Sequence, residues 1–260
     1  MNKSPRSLPK AVIFVLRLTL IVTVLAIWEI LARLKMIDTF FFSQPTEILI
    51  DLAESFAEGE ITPHIAVTLK EALSGLLLGT LAGIVAAVTL VKLEILAKVL
   101  DPLIMAFYGI PKLTLGPIFI LWFGLGMESK IFLAALMVFF LVLFNAYAGF
   151  RNVDQTLISA VKLMGASHSQ IMRKVILPSA MPWLLAGVKA GLGAALLGAI
   201  VGEYIGANSG LGWMVEYAGG MYDIARVFTC IIVLMLLMAA LNAALNLAER
   251  RLLKWRPKVQ

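Results

Sequence analysis

Long apolar segments are the feature that most restricts how this chain can fold. They run approximately over residues 12 to 34, 65 to 91, 98 to 123, 131 to 150, 181 to 206 and 225 to 248. Each can cross a hydrocarbon core of about 30 Å, and none alternates polar and apolar residues as a transmembrane strand does. Since only helices and closed barrels satisfy the backbone inside a bilayer, the sequence predicts an all-α membrane protein with about six transmembrane helices.

The composition supports a membrane protein and excludes several other classes. The chain is 61% hydrophobic and 15% charged, whereas an ordinary soluble domain has about 25% charged residues. Its net charge of +6 comes from termini and loops, so we expect no nucleic-acid partner. The single cysteine, Cys230, lies in an apolar segment and is expected to serve helix packing. His64 and His168 lie on opposite sides of the predicted membrane, so no metal site is expected.

The basic residues predict the orientation of the chain in the membrane. They cluster before the first segment, after the second, between the fourth and fifth, and after the sixth: Lys3, Arg6, Lys10; Lys92, Lys98; Arg151, Lys162, Arg173, Lys174; Arg250, Arg251, Lys254, Arg256, Lys258. With six crossings all four groups fall on one side, which the positive-inside rule assigns to the cytoplasm. We therefore expect a multi-pass protein of the cell (inner) membrane with both termini cytoplasmic.

Two patterns within the segments bear on packing and on a pathway. Glycines recur every four residues in the second and fifth segments, at Gly75, Gly79, Gly83, Gly187, Gly191, Gly198 and Gly202. Such spacing lets helix backbones approach closely. The third segment is interrupted by Pro102, Pro111, Lys112 and Pro117. A broken helix is tolerated where protein or a wet cavity satisfies its backbone, so we expect this segment near the pathway.

Ionisable residues in the segments are functional candidates because they are costly in lipid. Lys70 and Lys189 lie near the ends of their segments and are expected to snorkel to the headgroups. We expect Glu203 near the outer end of the fifth helix, with Tyr204, Asn208 and Ser209 as candidate partners. The candidate residues for the path or its external mouth are Pro111, Lys112, Glu203 and Tyr204.

The longest predicted cytoplasmic connection, residues 151 to 180, contains its own helical pattern. Apolar residues recur at helical spacing, at Leu157, Val161, Met164, Ile171 and Val175. This spacing predicts one or two short amphipathic helices that separate near Gly165 to Ser169. Pro178 is expected to end that pattern and to set the entry to the fifth span. Such helices on the membrane surface rest on headgroups or on a partner.

The same connection resembles the EAA loop of permease subunits from binding-protein-dependent ABC importers. The family pattern is Glu-Ala-Ala, three residues, Gly, nine residues, Ile, one residue and Leu-Pro. Here Ser159-Ala160-Val161, Gly165, Val175 and Leu177-Pro178 keep that spacing, with Ser in place of Glu and Val in place of Ala and Ile. The resemblance implies a coupling helix for the ATPase subunit around Lys162 to Gln170. The ATPase-coupling loop that contains it comprises Ser159, Ala160, Val161, Lys162, Leu163, Met164, Gly165, Ala166, Ser167, His168, Leu177 and Pro178.

Other segments are similar to the nitrate, sulfonate, taurine and thiamine-precursor branch of these permeases. They are Ser43 to Glu47, Pro63-His64, Ile110 to Lys112, Ile120 to Gly124, Gly202-Glu203 and Gly210 to Gly212. The resemblance implies the type I importer permease (MetI-like) fold as one domain over 1–260, with a helical bundle at 12–250 and cytoplasmic tails at 1–11 and 251–260.

It also implies the partners. They are a second permease copy, most simply in a homodimer, two ATPase subunits that use ATP and Mg, membrane lipid, and a periplasmic or lipid-anchored solute-binding protein. No cofactor is expected on this chain. The implied solute is a small anion such as a sulfonate, taurine or nitrate, with a thiamine-pyrimidine or other vitamin precursor as the alternative.

The motif inventory argues against an enzyme. The sequence has no GxxxxGK[ST] that would cradle ATP phosphates, and neither HExxH nor GxSxG, so we expect energy to come from a partner. Two other classes remain open at this point. An ATP-independent secondary transporter or channel commonly shows inverted repeats, whereas only one clearly interrupted segment is present. A membrane scaffold would tolerate substitutions in residues 159 to 178.

Overall fold

The computed structural model describes residues 9–254, which are helical with no strand in that range. The basic residues Lys3, Arg6, Arg256 and Lys258 of the predicted tails lie outside it. The helices are α1 Lys10–Arg33, α2 Thr39–Phe42, α3 Pro45–Ala57, α4 Ile61–Lys92, α5 Glu94–Gly109, α6 Gly116–Phe123, α7 Met127–Arg151, α8 Gln155–Leu163, α9 His168–Ile171, α10 Leu177–Gly206, α11 Leu211–Gly220 and α12 Ile224–Leu252. A 3₁₀ turn, Lys112–Leu115, precedes α6, and a π-helical turn, Met172–Ile176, precedes α10.

Helix α7 lies at the centre of the bundle and packs closely against α4. A Cβ atom added to Gly83 would lie 2.8 Å from the Phe139 carbonyl oxygen and 3.0 Å from Val142 Cβ. One turn earlier, Gly79 faces Val138 in the same way. These contacts confirm that the glycines of α4 serve close helix packing. Since residue numbers rise together along both helices, α4 and α7 run parallel.

Helix α10 packs on another side of α7 and runs in the opposite direction. A Cβ on Gly187 would lie 3.0 Å from Asn145 Cβ, whereas one on Gly202 would lie 2.9 Å from Lys130 Cγ. Small residues again set the helix spacing, as the sequence predicts. Helix α10 is therefore antiparallel to both α7 and α4.

The segment between α4 and α7 crosses the bundle as a broken span. Because α4 and α7 are parallel, the chain must return from Lys92 to Met127, and α5 with α6 covers that distance. Together the two helices are long and apolar enough to span a membrane, but they are bent by 83° relative to each other. With α1, α4, α7, α10 and α12, each long and apolar enough to span a membrane, this gives the predicted six crossings.

We call the end of the bundle that holds residues 151–180 the loop end, and the end that holds residues 207–223 the far end. Trp28 near the end of α1 packs edge-on against Phe228 near the start of α12, with ring centroids 5.3 Å apart. Helix α1 therefore reaches the far end where α12 leaves it. The start of α1 and the end of α12 consequently share the loop end.

Pro178 marks the entry to the fifth span, as expected, but the expectation that the helical pattern ends there is wrong. An unbroken helical segment runs from His168 to Gly206 and passes through the π-helical turn. Pro178 lies in the first turn of α10, and the wider turn before it accommodates a residue that lacks an N–H. The short helix α9 is consequently a direct extension of a membrane-spanning helix.

Candidate functional site

A buried hydrogen-bond cluster at the far end joins α4, α10 and α11 through Glu203. The Glu203 carboxylate accepts hydrogen bonds from the Thr68 hydroxyl at 2.7 Å and from the Gly212 N–H at 2.6 Å. Thr68 in turn accepts the N–H of Leu211 at 2.8 Å. The first N–H groups of a helix have no partner within the helix. Side chains of α4 and α10 therefore supply the N-terminal cap of α11.

His64, one turn before Thr68 on α4, completes this cap. Its Nδ1 accepts the N–H of Gly210 at 3.0 Å, and its ring stacks on Trp213 with centroids 5.2 Å apart. Gly210 has a φ of +106°, a backbone conformation open to glycine and strained for other residues. His64 therefore makes a structural contact at this end of the bundle.

The sequence expectations for the surroundings of Glu203 are wrong. Asn208 and Ser209 are not its hydrogen-bond partners in the described residues, and Glu203 is only 1% exposed. It therefore lies inside the subunit rather than on an open external mouth. Tyr204, the next residue, points away and is 55% exposed. The true partners lie on α11, where Gly212 follows Glu203 by nine residues, and on α4, where Thr68 is 135 residues away and beyond the reach of local spacing.

Two further ionisable residues near Glu203 were missed by the sequence reasoning. Lys130 is 1% exposed, and its ammonium group donates to the carbonyl oxygens of Leu125, at 2.6 Å, and of Gly206. It thus compensates the carbonyl end of α10. Glu71, 2% exposed, lies within electrostatic reach of Glu203 and Lys130. Glu71 carried a usable sequence signal, because it is an ionisable residue inside the apolar segment 65 to 91, whereas Lys130 lies just before the segment that begins at residue 131.

The expected role of Lys189 is corrected as well. Instead of reaching the headgroups, its ammonium group forms an ion pair with Glu249. This pair joins α10 to the last turns of α12. A charged group within a span is stabilised when an opposite charge lies nearby. The carboxylate of Glu249 supplies that charge, so the Lys189 side chain is not directed to the lipid headgroups.

Lys112 lies at the break of the third span, level with the middle of α7. Its ammonium group is 4.2 Å from the centroid of the Tyr108 ring and 5.1 Å from that of Phe140. It also donates to the Tyr108 carbonyl oxygen, one of the groups freed where α5 ends. Half-buried Lys112 and exposed Pro111 lie at the surface of the single subunit. The break thus presents a cation at mid-membrane depth.

The loop end carries the helix pair that the sequence predicts. The Asp154 side chain accepts the N–H of Thr156 at 2.8 Å and caps α8. This backbone hydrogen bond lowers the pKa of Asp154. Ser167 and Gln170 form a reciprocal capping box at the start of α9. Between the helices Gly165 has a φ of +83°, which explains why a glycine stands there.

Apolar side chains at the tip of α8 are left open to solvent. Leu163 is 89% exposed and Met164 is 84% exposed. Most residues of the predicted coupling segment share this exposure: Ser159, Ala160, Lys162, Leu163, Met164, Gly165, Ser167, His168 and Leu177, with Val161, Ala166 and Pro178 half-buried. The loop end thus offers a partner a continuous short surface.

The candidate residues fall into three separate places. The loop residues 159–168 form one surface at the loop end, Pro111 and Lys112 lie at the break in mid-bundle, and Glu203 lies in the interior at the far end. No group of His, Cys, Asp or Glu suited to a metal ion occurs within residues 9–254. The arrangement is suited to transmitting motion along helices rather than to chemistry at one centre.

The chain is similar to known membrane transport proteins. Residues 79–254 match the sequence model of the family described as "Binding-protein-dependent transport system inner membrane component". The putative aliphatic sulfonates transport permease protein SsuC of Bacillus subtilis is 34% identical, over 90% of this chain and 84% of the relative. The taurine transport system permease protein TauC of Escherichia coli is 32% identical, over 91% and 88%.

A vitamin-related transporter and a solved structure also match. The formylaminopyrimidine transport permease protein ThiX of Halalkalibacterium halodurans is 32% identical, over 90% of this chain and 93% of the relative. The inward-facing MetNI methionine ABC transporter is similar in fold, with a TM-score of 0.61 and 23% identity, over 74% of this chain and 94% of the matched chain.

Proposed function

The chain belongs to the family of binding-protein-dependent transport system inner membrane components, the permease subunits of ABC importers, and from this premise we propose that two copies form a path for a small anion. Two ATPase subunits that use ATP and Mg drive the path, and a periplasmic or lipid-anchored binding protein delivers the solute. The loop end and both termini face the cytoplasm, in keeping with the distribution of basic residues.

The observation that carries this proposal is the exposed apolar tip of α8. Leu163 and Met164 lie at the end of a capped helix at the loop end, where no other residue of 9–254 covers them. Exposed large apolar side chains on a folded surface mark interaction sites. A helix of this kind docks by inserting its apolar residues into a groove. We assign that groove to the ATPase subunit.

The helix connections supply a route by which motion of the loop reaches the membrane. Helix α9 continues through the π-helical turn into α10, and α10 packs against α7 through Gly187 and Gly202. Displacement of α9 therefore moves a membrane-spanning helix directly. In the proposed cycle, ATP binding closes the two ATPase subunits, the loop follows, and the spans reorient. Such coupling requires different contacts in the two states, which the exposed tip can provide.

The proposed solute is a sulfonate-like, taurine-like or nitrate-like anion. Lys112 supports this choice because it places a cation at mid-membrane depth beside a broken helix, and ionisable groups there mark solute pathways. The names of two relatives, for aliphatic sulfonates and for taurine, point the same way. The second candidate is a pyrimidine vitamin precursor, favoured by the name of the ThiX relative.

A matched pair of methionine variants tests the coupling role. Met164 at the loop end and Met221 at the far end are both exposed, at 84% and 64%. We expect Met164→Asp to abolish co-purification of the ATPase and ATP-dependent uptake, since a charge cannot enter an apolar groove without cost. Met221→Asp should keep both. Retained ATPase binding in Met164→Asp, or uptake by the wild type that persists after ATP depletion, would refute the proposal.

A further inference from the structure

A polar cavity at the loop end is separate from the tip of α8 and from the break at Lys112. It has a volume of about 690 Å³ and opens between the last turns of α4 and α7 and the first turns of α5 and α8. This volume is typical of small-molecule sites, which are about 300 to 1,000 Å³. Its charged and polar lining consists of Glu94, Lys98, Asp101, Tyr147, Arg151 and Gln155.

The cavity has no net charge but contains separated charges of both signs. Neither Lys98 nor Arg151 has a carboxylate within 4.0 Å in the described part of the chain. Arg151 is instead oriented by Tyr147, whose hydroxyl accepts a hydrogen bond from Nη1 at 3.2 Å. Two cations and two carboxylates left without ion-pair partners suit a ligand that itself carries an anionic and a cationic group.

An apolar trough adjoins the polar cavity. It has a volume of about 750 Å³, shares Val91 and Glu94 with the polar cavity, and is lined otherwise mainly by Leu93, Ile95, Leu96 and Val99. Ile95 is 82% exposed. Because α4 and α7 end here, the pair of cavities lies at the level of the lipid headgroups. An amphiphile can place its polar head group in the polar cavity and an acyl chain along the apolar trough.

We propose that this cavity binds a zwitterionic phospholipid with a phosphate and an amine, of the phosphatidylethanolamine kind. Lys98 and Arg151 hold the phosphate, for which the planar guanidinium of Arg151 is well suited. Glu94 and Asp101 hold the ammonium group. An anionic phospholipid without an amine leaves these two carboxylates facing a like charge. A small solute leaves the apolar trough unused.

Native mass spectrometry of the permease–ATPase complex, titrated with palmitoyl-oleoyl-phosphatidylethanolamine or -phosphatidylglycerol, tests the site. We expect the wild type to retain the ethanolamine lipid in preference. Combined Lys98→Ala and Arg151→Ala should weaken its binding about tenfold or more, the effect of losing a charge-assisted hydrogen bond. Arg250→Ala, which removes an exposed arginine at the same end of the bundle, should leave binding unchanged.

A second variant distinguishes a lost site from a damaged protein. Glu94→Gln combined with Asp101→Asn should weaken binding of the ethanolamine lipid and strengthen binding of the glycerol lipid, a gain that misfolding does not produce. Equal binding of both lipids by the wild type would overturn the proposal, as would unchanged binding by the alanine variant. Displacement of the lipid by taurine would also overturn it and would assign the cavity to the solute path.

Discussion

The carboxylate of Glu203 in α10 caps the N-terminus of α11 through a 2.6 Å hydrogen bond from the N–H of Gly212. Both groups are buried, so the loss of the acceptor leaves a donor without a partner in a dry interior. Such a loss costs about 1 to 3 kcal/mol. The far end of the bundle depends on this contact for the position of α11.

We therefore expect Glu203→Ala to lower the midpoint of thermal unfolding of the detergent-purified protein. Glu203→Gln keeps an acceptor oxygen and should fall between the alanine variant and the wild type. Glu54→Ala, which removes an exposed carboxylate from α3, is the control and should have no effect. A Glu203→Ala protein as stable as the control would show that the cap does not hold α11.

Close packing of α4 on α7 makes a second prediction. A methyl group at Gly83 meets the Phe139 carbonyl oxygen at 2.8 Å, and overpacking of this kind costs about 1 to 3 kcal/mol. Gly83→Ala should thus lower thermal stability. The control is Gly193→Ala in α10, where the added atom meets only the flexible end of Met238 at 3.4 Å. Equal melting curves for the two variants would contradict the packing described here.

The Asp154 cap gives a prediction for the coupling helix. Hydrogen exchange of the amides in α8 should be faster in Asp154→Ala than in the wild type, whereas Asp154→Asn keeps a capping oxygen and should resemble the wild type. Because the hydrogen bond from Thr156 lowers the pKa of Asp154, the stabilisation is complete above the ordinary pKa of about 3.9. It is lost as the pH falls through the lowered folded-state value. The protection of these amides, expressed relative to the intrinsic exchange rate at each pH, should therefore be the same in neutral and mildly acidic samples.

Substitutions at Gly165 test whether the loop depends on the backbone conformation of this residue rather than on the space around it. A Cβ there meets nothing within 4 Å, but its φ of +83° strains other residues. Asn tolerates this region, whereas Val does not, at a cost of about 1 to 2 kcal/mol. We expect Gly165→Val to reduce ATPase association and uptake about tenfold and Gly165→Asn to retain most of both. Wild-type uptake by the valine variant would count strongly against the coupling role of the loop.

These contacts show which parts of the structure local sequence signals can predict. Span length, small-residue spacing and the turn at Gly165 all depend on residues within a few turns of one another, and the structure agrees with them. The partners of Glu203 could not be predicted, because Thr68 lies 135 positions away. The same holds for Lys189 and Glu249, 60 positions apart. The prediction that the helical pattern ends at Pro178 was wrong because a local rule for proline takes no account of the π-helical turn before it.

The last prediction concerns Lys112, at the break of the third span, and the uptake of an anionic solute. The Tyr108 ring and carbonyl oxygen hold the ammonium group of Lys112 at mid-membrane depth. In the proposed function, an anion on the path would pass this group. Lys112→Gln should lower uptake of an anionic solute about tenfold or more, and Lys112→Arg should preserve it, since a cation in low dielectric attracts an anion strongly. Lys70→Gln in α4 removes an exposed cation from another span and should have little effect. Wild-type uptake of an alkanesulfonate by Lys112→Gln would show that the cation has no part in the path. If the wild type imports only a neutral pyrimidine, the vitamin-precursor assignment replaces the anion.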